Sequence, residues 1–317
     1  MKADKKISEI FKKYGIVIIF AVIVIALIIF TPSFRKPMNL INVIKQSSVN
    51  GIISFGMMLI IITGGIDLSC GSIVALSGVC ASLLSHPGEY PVIVPILVAC
   101  GIGVLFGIIN GVGVTFGGIP PFIITLGTQC VARGLALVVS GGVPITDMSD
   151  SVKFIGCANI GGVIPILAIY FVILAVIIYY VMSQTTFGRR VYAIGGNKTA
   201  ARVSGIAVNK YIIGCYTLAG LFAGFAGMLM VSRTSQGSPV VGEGYEMDAV
   251  TACVVGGVSM TGGVGNPALV VVGALIIAII ENVLTLFSVD SNWKQVVKGL
   301  IIIGAVLLDV KTKGKRE

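Results

Sequence analysis

The chain has 317 residues, of which 56% are hydrophobic and 11% are charged, and its formal net charge is +9. A soluble domain carries about 25% charged residues, so this composition excludes a soluble globular protein. Lipid offers no partners for backbone groups, which restricts membrane-spanning structures to helices and closed barrels. Continuous apolar runs such as residues 15–30 differ from the alternating pattern of a barrel strand. We therefore expect an all-α integral membrane protein.

Apolar runs of about 17–25 residues are long enough to cross a bilayer as helices. The hydropathy pattern predicts ten spans, at residues 14–30, 46–63, 71–86, 91–114, 121–140, 162–182, 211–231, 247–261, 267–287 and 294–309. We expect residues 1–317 to form a single transmembrane domain, a polytopic bundle of about ten transmembrane helices. One polar insertion, residues 183–210, interrupts the apolar sequence.

Basic residues predict the orientation of the bundle. Five lysines precede the first span, five Lys or Arg lie in the insertion without any acidic residue, and four lie in residues 311–316. Loops rich in Lys and Arg remain on the cytosolic side. With ten spans both termini and the insertion share one side, so we expect both termini in the cytosol. The positive charge would also attract anionic membrane lipid, and nothing in the sequence supports binding to nucleic acid.

Few polar side chains lie within the predicted spans, and ionisable groups there mark functional sites by default because they are costly. Our candidates for a substrate pathway are Thr63, Asp67, Asn110, Gln129, Glu281 and Asn282. Asp67 is also a good helix cap before Ser69, and Glu281 with Asn282 could equally form interhelical hydrogen bonds. Arg133, near the start of the fifth span, could instead extend to the cytosolic interface.

Glycine is abundant, at 42 residues, and several glycines have the GxxxG spacing that lets membrane helices approach closely. They are Gly103, Gly107 and Gly111 in one run and Gly220 and Gly224 in another. We interpret these as packing positions. In addition, GGIDLS at 64–69 is echoed by GGVSMT at 256–261. Transporters often contain repeats with glycine-broken helices beside the transport path, so the echo indicates either such a repeat or a chance match.

The sequence gives no support for an enzyme. One histidine, His86, and seven cysteines without a CxxC pair do not have metal-site spacing. GGNKT at 195–199 resembles a phosphate loop, but the four-residue spacing of a Walker A motif is missing. We therefore predict no catalytic residue, no metal and no cofactor bound by this chain.

The insertion does contain the signals of a short helix. Asn197 is a good N-cap and Gly205 a good stop, with an alanine-rich run between them. A short helix on the inner face of the membrane is suited to docking a separate motor subunit. The alternative is a loop that is only solvated.

Several stretches of the chain resemble the permease subunit of bacterial ABC importers for simple sugars, the ribose, galactose and xylose group. They are residues 64–78, 110–128, 186–206, 245–265 and 293–309. The resemblance implies a homodimer of permeases, a cytosolic ATP-binding cassette ATPase that uses the ATP, and a sugar-binding protein outside. It assigns contact with the ATPase to Gly188, Asn197, Ala200, Ala201, Gly205 and Ile206, to which we add the basic residues Arg189, Arg190 and Arg202.

The expected function is import of a monosaccharide across the bacterial inner membrane by alternating access. Motion of the partner ATPase would move the helix at 197–205 as a lever and rock the spans. The alternatives are a permease of the same superfamily for nucleosides or branched-chain amino acids, and an ion-coupled secondary carrier.

Overall fold

The structure is a computed structural model and describes residues 16–18 and 20–313. Its helices are α1 (Ile16–Phe30), α2 (Pro37–Ile62), α3 (Cys70–Leu83), α4 (Ile93–Thr115), α5 (Pro121–Ser140), α6 (Asp150–Cys157), α7 (Ile166–Gln184), α8 (Thr186–Gly196), α9 (Lys198–Val203), α10 (Val208–Thr234), α11 (Tyr245–Val255), α12 (Pro267–Leu286) and α13 (Ser291–Lys313). Two short antiparallel strands, β1 (Asn159–Ile160) and β2 (Ile164–Pro165), lie between α6 and α7. The expected all-α class is confirmed.

Six helices of the described residues are long and apolar enough to cross a membrane, namely α2, α4, α5, α7, α10 and α12. They match six of the predicted spans. The other four predicted spans fall on α1, α3, α11 and α13, and the start of the first span lies outside the described residues. The N-terminal lysines at positions 2–13 and the basic residues 315 and 316, which contributed to the predicted orientation, also lie outside them.

Two of these helices are shorter than the hydropathy pattern predicted. Helix α3 has 14 residues and α11 has 11, which at 1.5 Å per residue gives about 21 and 16 Å. The hydrocarbon core is about 30 Å thick, so neither crosses it alone. The predicted span 247–261 is wrong at its end, because α11 stops at Val255 and Gly257 adopts a left-handed backbone with φ +78°.

The core is built around α2 and α10, whose C-terminal halves are buried on nearly all sides. Helix α10 packs on α4 through the predicted glycines. A side chain on Gly103 would overlap the backbone of Gly220, and one on Gly107 would overlap the backbone of Tyr216. Gly224 is likewise closed off by the backbone of Ala99. The interpretation of the GxxxG runs as packing positions is therefore confirmed.

Loops group at two ends of the bundle. At one end the turn after α2 meets the end of α8 and residues 262–263. At the other end the His86 Nδ1 atom lies 3.0 Å from the carbonyl oxygen of Asp147, and Ile145 forms an antiparallel bridge with Gly237. The turn after α2 thus shares one end with residues 262–263, and the segments around His86, Ile145 and Gly237 lie at the other.

Candidate functional site

The insertion is two helices rather than the loop with one short helix that the sequence predicted. Helix α9 is the expected one: the Asn197 side chain accepts a hydrogen bond from the Ala200 amide at 2.9 Å. Gly205 follows its end with φ +80°. Ala201 is buried, whereas Val203 is 85% exposed. An exposed apolar side chain on a capped helix is available for contact with another protein.

Helix α8 was not predicted. Its start is capped by the Thr185 hydroxyl, which accepts from the Gly188 amide at 3.5 Å, and it buries Val191 and Ile194. Gly188 lies so close to the backbone of Met182 that any side chain would overlap it. The local sequence therefore folds α8 back against the end of α7. The apolar residues Phe187, Val191 and Ile194, at helical spacing, were the sequence signal that would have identified this helix.

The two arginines of α8 have different surroundings. The Arg190 guanidinium donates to the Tyr211 hydroxyl and lies 5.5 Å from the centre of that ring. Among the described residues, the Arg189 guanidinium donates only to the Gln184 carbonyl at the end of α7, at 3.4 Å. Arg190 is thus fixed to α10, whereas Arg189 faces α7.

The end of α8 meets two other segments backbone to backbone. A methyl group on Gly195 would overlap the carbonyl oxygen of Ile62, at the end of α2, and the amide nitrogen of Gly263. The Gly263 amide donates to the Ile62 carbonyl at 2.9 Å. Gly262 has a φ of +86°, and a Cβ added to it would lie 3.0 Å from the carbonyl oxygens of both Gly195 and Ile62. We call Ile62, Gly195, Gly262 and Gly263 the glycine junction.

A side-chain bond supports the same junction. The Tyr192 hydroxyl of α8 donates to the Gly265 carbonyl at 2.8 Å. Burial raises the pKa of this hydroxyl, so it stays protonated and able to donate. The hydroxyl bond and the backbone contacts therefore join α8 to both the end of α2 and the segment before α12.

A chain of buried hydrogen bonds, which we call the polar layer, links the segment before α3 to α4 and α5. The amide and hydroxyl of Ser69 both donate to one Asp67 oxygen, at 2.7 and 2.6 Å. The Asn110 amide donates to the Ser69 hydroxyl at 2.9 Å, and the Thr128 hydroxyl donates to Asn110 at 2.7 Å. Asn110 lies five residues from the end of α4, or about 8 Å inward. Because Ser69 is bonded to Asn110, the polypeptide between α2 and α3 lies at this same depth inside the bundle.

Asp67 is not the helix cap that one interpretation expected, because the N-cap position of α3 is Ser69; its carboxylate instead stabilises the turn just before the helix. Its echo, Ser259, accepts from the Thr261 amide at 3.3 Å in the same relative position. The two motifs share a local turn in addition to their sequence pattern. Nearby, the Ser72 hydroxyl is buried and has no hydrogen-bond partner within the described part of the chain.

Arg133 lies in the second half of α5, so the interpretation that placed it near the start of the span, extending to the cytosolic interface, is wrong. Twelve residues of helix separate it from Pro121. Its guanidinium donates to the carbonyls of Pro239 and, at 2.9 Å, Val241. These carbonyls belong to the non-helical segment before α11, whose backbone groups need partners inside a membrane. Sequence reasoning missed this because hydropathy does not show that the segment between α10 and α11 enters the bundle.

A third polar group, which we call the ion cluster, lies on the half of α2 and α12 away from the glycine junction. Lys298 pairs with Asp248 at 2.9 Å and with Glu281, and Glu281 also accepts from Gln46. Between the same two helices, α2 and α12, Asn39 and Asn282 exchange two hydrogen bonds of 3.0 and 2.8 Å. For Glu281 and Asn282 the interhelical alternative is the one observed.

The six pathway candidates do not form one site. Asp67 and Asn110 lie in the polar layer, and Glu281 and Asn282 bind partners on α2 and α13. The buried Thr63 hydroxyl donates to the Ile60 carbonyl at 2.8 Å. Gln129, half-buried beside Thr128, has no side-chain bond to the described residues. Three residues that were not among the candidates complete these groups: Ser69 and Thr128 in the polar layer, and Lys298 in the ion cluster.

Comparison with known proteins is consistent with this architecture. Residues 39–306 match the family described as branched-chain amino acid transport system / permease component. The chain belongs to this permease family. The ribose import permease protein RbsC of Bacillus subtilis strain 168 is 43% identical over 304 residues, covering 95% of this chain and 94% of that relative.

Other permeases are similar over nearly their full length. The galactose/methyl galactoside import permease protein MglC of Escherichia coli K12 is 36% identical, with 96% of each chain covered. The D-allose transport system permease protein AlsC of the same strain is 38% identical, with 94% and 91% covered. No solved structure matches the chain. This permease is therefore a multi-pass protein of the cell membrane.

Proposed function

We propose that this permease is the membrane subunit of an ATP-driven importer for a monosaccharide. The observation that carries the proposal is the exposed, capped helix α9, which is joined through α8 to the glycine junction. A protein that moved α9 would thereby act on α2 and on the loop before α12. The sugar specificity follows from the relatives, whose names state import or transport of ribose, galactose and allose.

The remaining parts of the assembly are inferred. A cytosolic ATP-binding cassette ATPase would contact α9 and neighbouring positions, so that ATP is used by the partner and not by this chain. Two copies of the permease would pair, and an extracytoplasmic sugar-binding protein would deliver the substrate. The insertion and both termini would face the cytosol, with α1, α3, α11 and α13 completing about ten membrane helices.

The contacts at the glycine junction support transport by alternating access. Closure of the ATPase would displace α9, and α8 would transmit the displacement to Ile62 and Gly263 because no side chain lies between these backbones. The motion would reach two breaks: the half-length helix α3 follows the break after Ile62, and the half-length helix α11 precedes the break that contains Gly263. The breaks, rather than the long packed helices, would open and close the path.

The polar layer supplies the chemistry that a sugar needs within the membrane. Sugar hydroxyls lose water on entering an apolar region and require replacement hydrogen bonds. Gln129 and the unpaired Ser72 hydroxyl have hydrogen-bonding capacity left, whereas Asp67 and Asn110 are already bonded to protein groups. Because few hydrogen-bonding groups remain free, the sugar would bind weakly, which suits a transport path.

The family description names branched-chain amino acids, which makes them the second candidate substrate. Two features argue against them. The sugar permeases are 36–43% identical over nearly the whole chain. The polar layer also places no cation–carboxylate pair where an amino acid's charged ends would bind.

Reconstituted uptake tests the proposal. Liposomes containing the permease, its ATPase and its binding protein should accumulate a labelled monosaccharide only with ATP inside. Arg202→Glu and Gly205→Pro should retain ATP hydrolysis but lose sugar uptake. Uptake on an ion gradient without ATP would contradict the importer mechanism, and normal coupling in both variants would contradict the role of α9.

A further inference from the structure

An apolar groove of 440 Å³ runs between α7 and α12. Its floor is Phe171, whose ring occupies the space that a side chain at Gly51 of α2 would need. Ala175 and Val271 form its walls, and Val176 at its edge is 62% exposed. The groove is therefore open to whatever surrounds the protein. We call it the α7–α12 groove.

The α7–α12 groove ends in a polar pocket. Tyr179 lines the groove and also a second cavity of 350 Å³, which continues toward α8. Ser183, Arg189 and Asn266 line this second cavity. Arg189 is the cation among its lining residues, and no carboxylate is present there. The pocket thus combines a positive charge with hydroxyl and amide groups at the mouth of an apolar channel.

The dimensions fit one membrane leaflet. Phe171 and Ser183 are 12 residues apart on α7, or about 18 Å along the helix. Half of the hydrocarbon core measures about 15 Å. The apolar portion therefore spans the depth of acyl chains, and Arg189 lies at the level of headgroups. A water-soluble ligand would not require both an apolar groove of this length and a basic residue at its end.

We propose that the α7–α12 groove binds one anionic phospholipid. Its acyl chain lies against Phe171 and Ala175, and its phosphate lies beside Arg189 and Ser183. The charge of the insertion, five Lys or Arg without an acidic residue, favours an anionic headgroup over a zwitterionic one. The inference rests on membrane embedding and not on the identity of the transported substrate.

The bound lipid would join three elements at the base of the glycine junction. Arg189 and Tyr192 belong to α8, Ser183 belongs to α7, and Asn266 caps α12 with a bond to the Ala268 amide of 3.0 Å. A phosphate held among them would link the coupling segment to the bundle. Lipid composition would then influence how far α8 can move.

Native mass spectrometry of the full chain tests the site, with phosphatidylglycerol as probe and phosphatidylcholine as comparison. Wild type should retain one phosphatidylglycerol, and Arg189→Gln should retain at least fivefold less. Arg190→Gln is the matched control, since it removes the same charge from a side chain bonded to Tyr211. Equal retention by the two variants, or equal retention of the two lipids by wild type, would overturn the proposal.

The apolar part has its own pair of variants. Ala175→Trp fills the groove and should abolish lipid retention, whereas Ile173→Trp, on an exposed face of α7 outside the groove, should not. Inorganic phosphate should bind poorly without lipid, because the acyl chain supplies contacts; tight binding of phosphate alone would contradict the proposal. Loss of a permease dimer with Ala175→Trp, with no lipid bound to wild type, would identify the groove as a protein interface instead.

Discussion

The glycine junction and the ion cluster join helices in opposite ways. At the junction, Gly195 meets Ile62 and Gly263 with no side chain between the backbones. In the ion cluster, the long side chain of Lys298 reaches Asp248 and Glu281 from another helix. Both connect α2 to elements that follow the insertion, but only the junction does so without flexible atoms.

This difference indicates where motion is transmitted and where it is absorbed. Backbones in direct contact move together, because protein interiors are close-packed and cannot be compressed. Side chains that carry charge can rotate and keep their ion pairs while helices shift. We infer that displacement enters at the glycine junction and that the ion cluster holds the opposite half together as the helices move.

The largest expected loss of stability comes from removing the cation of the ion cluster. Lys298→Met would leave Asp248 and Glu281 close together without a counter-charge, at a cost of about 3 kcal/mol. Thermal unfolding in detergent should show a lower midpoint. A triple variant that adds Asp248→Asn and Glu281→Gln should recover most of it; no recovery would mean that Lys298 acts by packing instead.

A smaller loss of stability is expected from substituting a glycine, and comparing two glycines distinguishes close packing at the junction from the cost of positive φ alone. Gly262→Ala and Gly205→Ala both place a side chain at positive φ, which costs about 1–2 kcal/mol. Only Gly262 also has backbone oxygens 3.0 Å from the new Cβ, whereas Gly205 has open space. Unfolding measurements should rank Gly262→Ala as the less stable variant. Equal losses would show that the junction is loose enough to admit a methyl group.

The smallest effect concerns the helix on which the motor would act. Asn197→Ala removes the N-cap of α9 and should cost about 1 kcal/mol locally. Asn197→Asp retains the acceptor and should behave as wild type. Amide hydrogen exchange of residues 199–203 should become faster in Asn197→Ala alone, and similar exchange in both variants would show that α9 does not depend on its cap.

The sequence predicted those parts of the molecule that depend on neighbouring residues. Apolar runs located six long helices, and the Asn197 and Gly205 signals located α9. Hydropathy missed α8, because its apolar residues are few and its basic residues dominate the average. It also overestimated α11, because a glycine pair adds little polarity while it ends the helix.

Contacts between residues that are distant in the sequence could not be predicted from hydropathy or residue spacing. Arg133 was assigned to an interface from its position in a span, but the carbonyls it binds are more than a hundred residues away. Asp67, Asn110 and Glu281 were recognised as polar groups in apolar surroundings. Which of them share a network depends on helix packing, and no spacing along the chain encodes that.

The most direct test of the account is the number of sugar molecules imported per ATP hydrolysed in the reconstituted importer, measured for Gly195→Ala and Gly196→Ala. These glycines are neighbours in α8, yet a methyl group overlaps the Ile62 carbonyl at Gly195 and meets open space at Gly196. We predict that Gly195→Ala lowers this ratio at least tenfold with ATP hydrolysis retained, and that Gly196→Ala leaves it unchanged. An unchanged ratio in a folded Gly195→Ala importer would contradict transmission through the glycine junction.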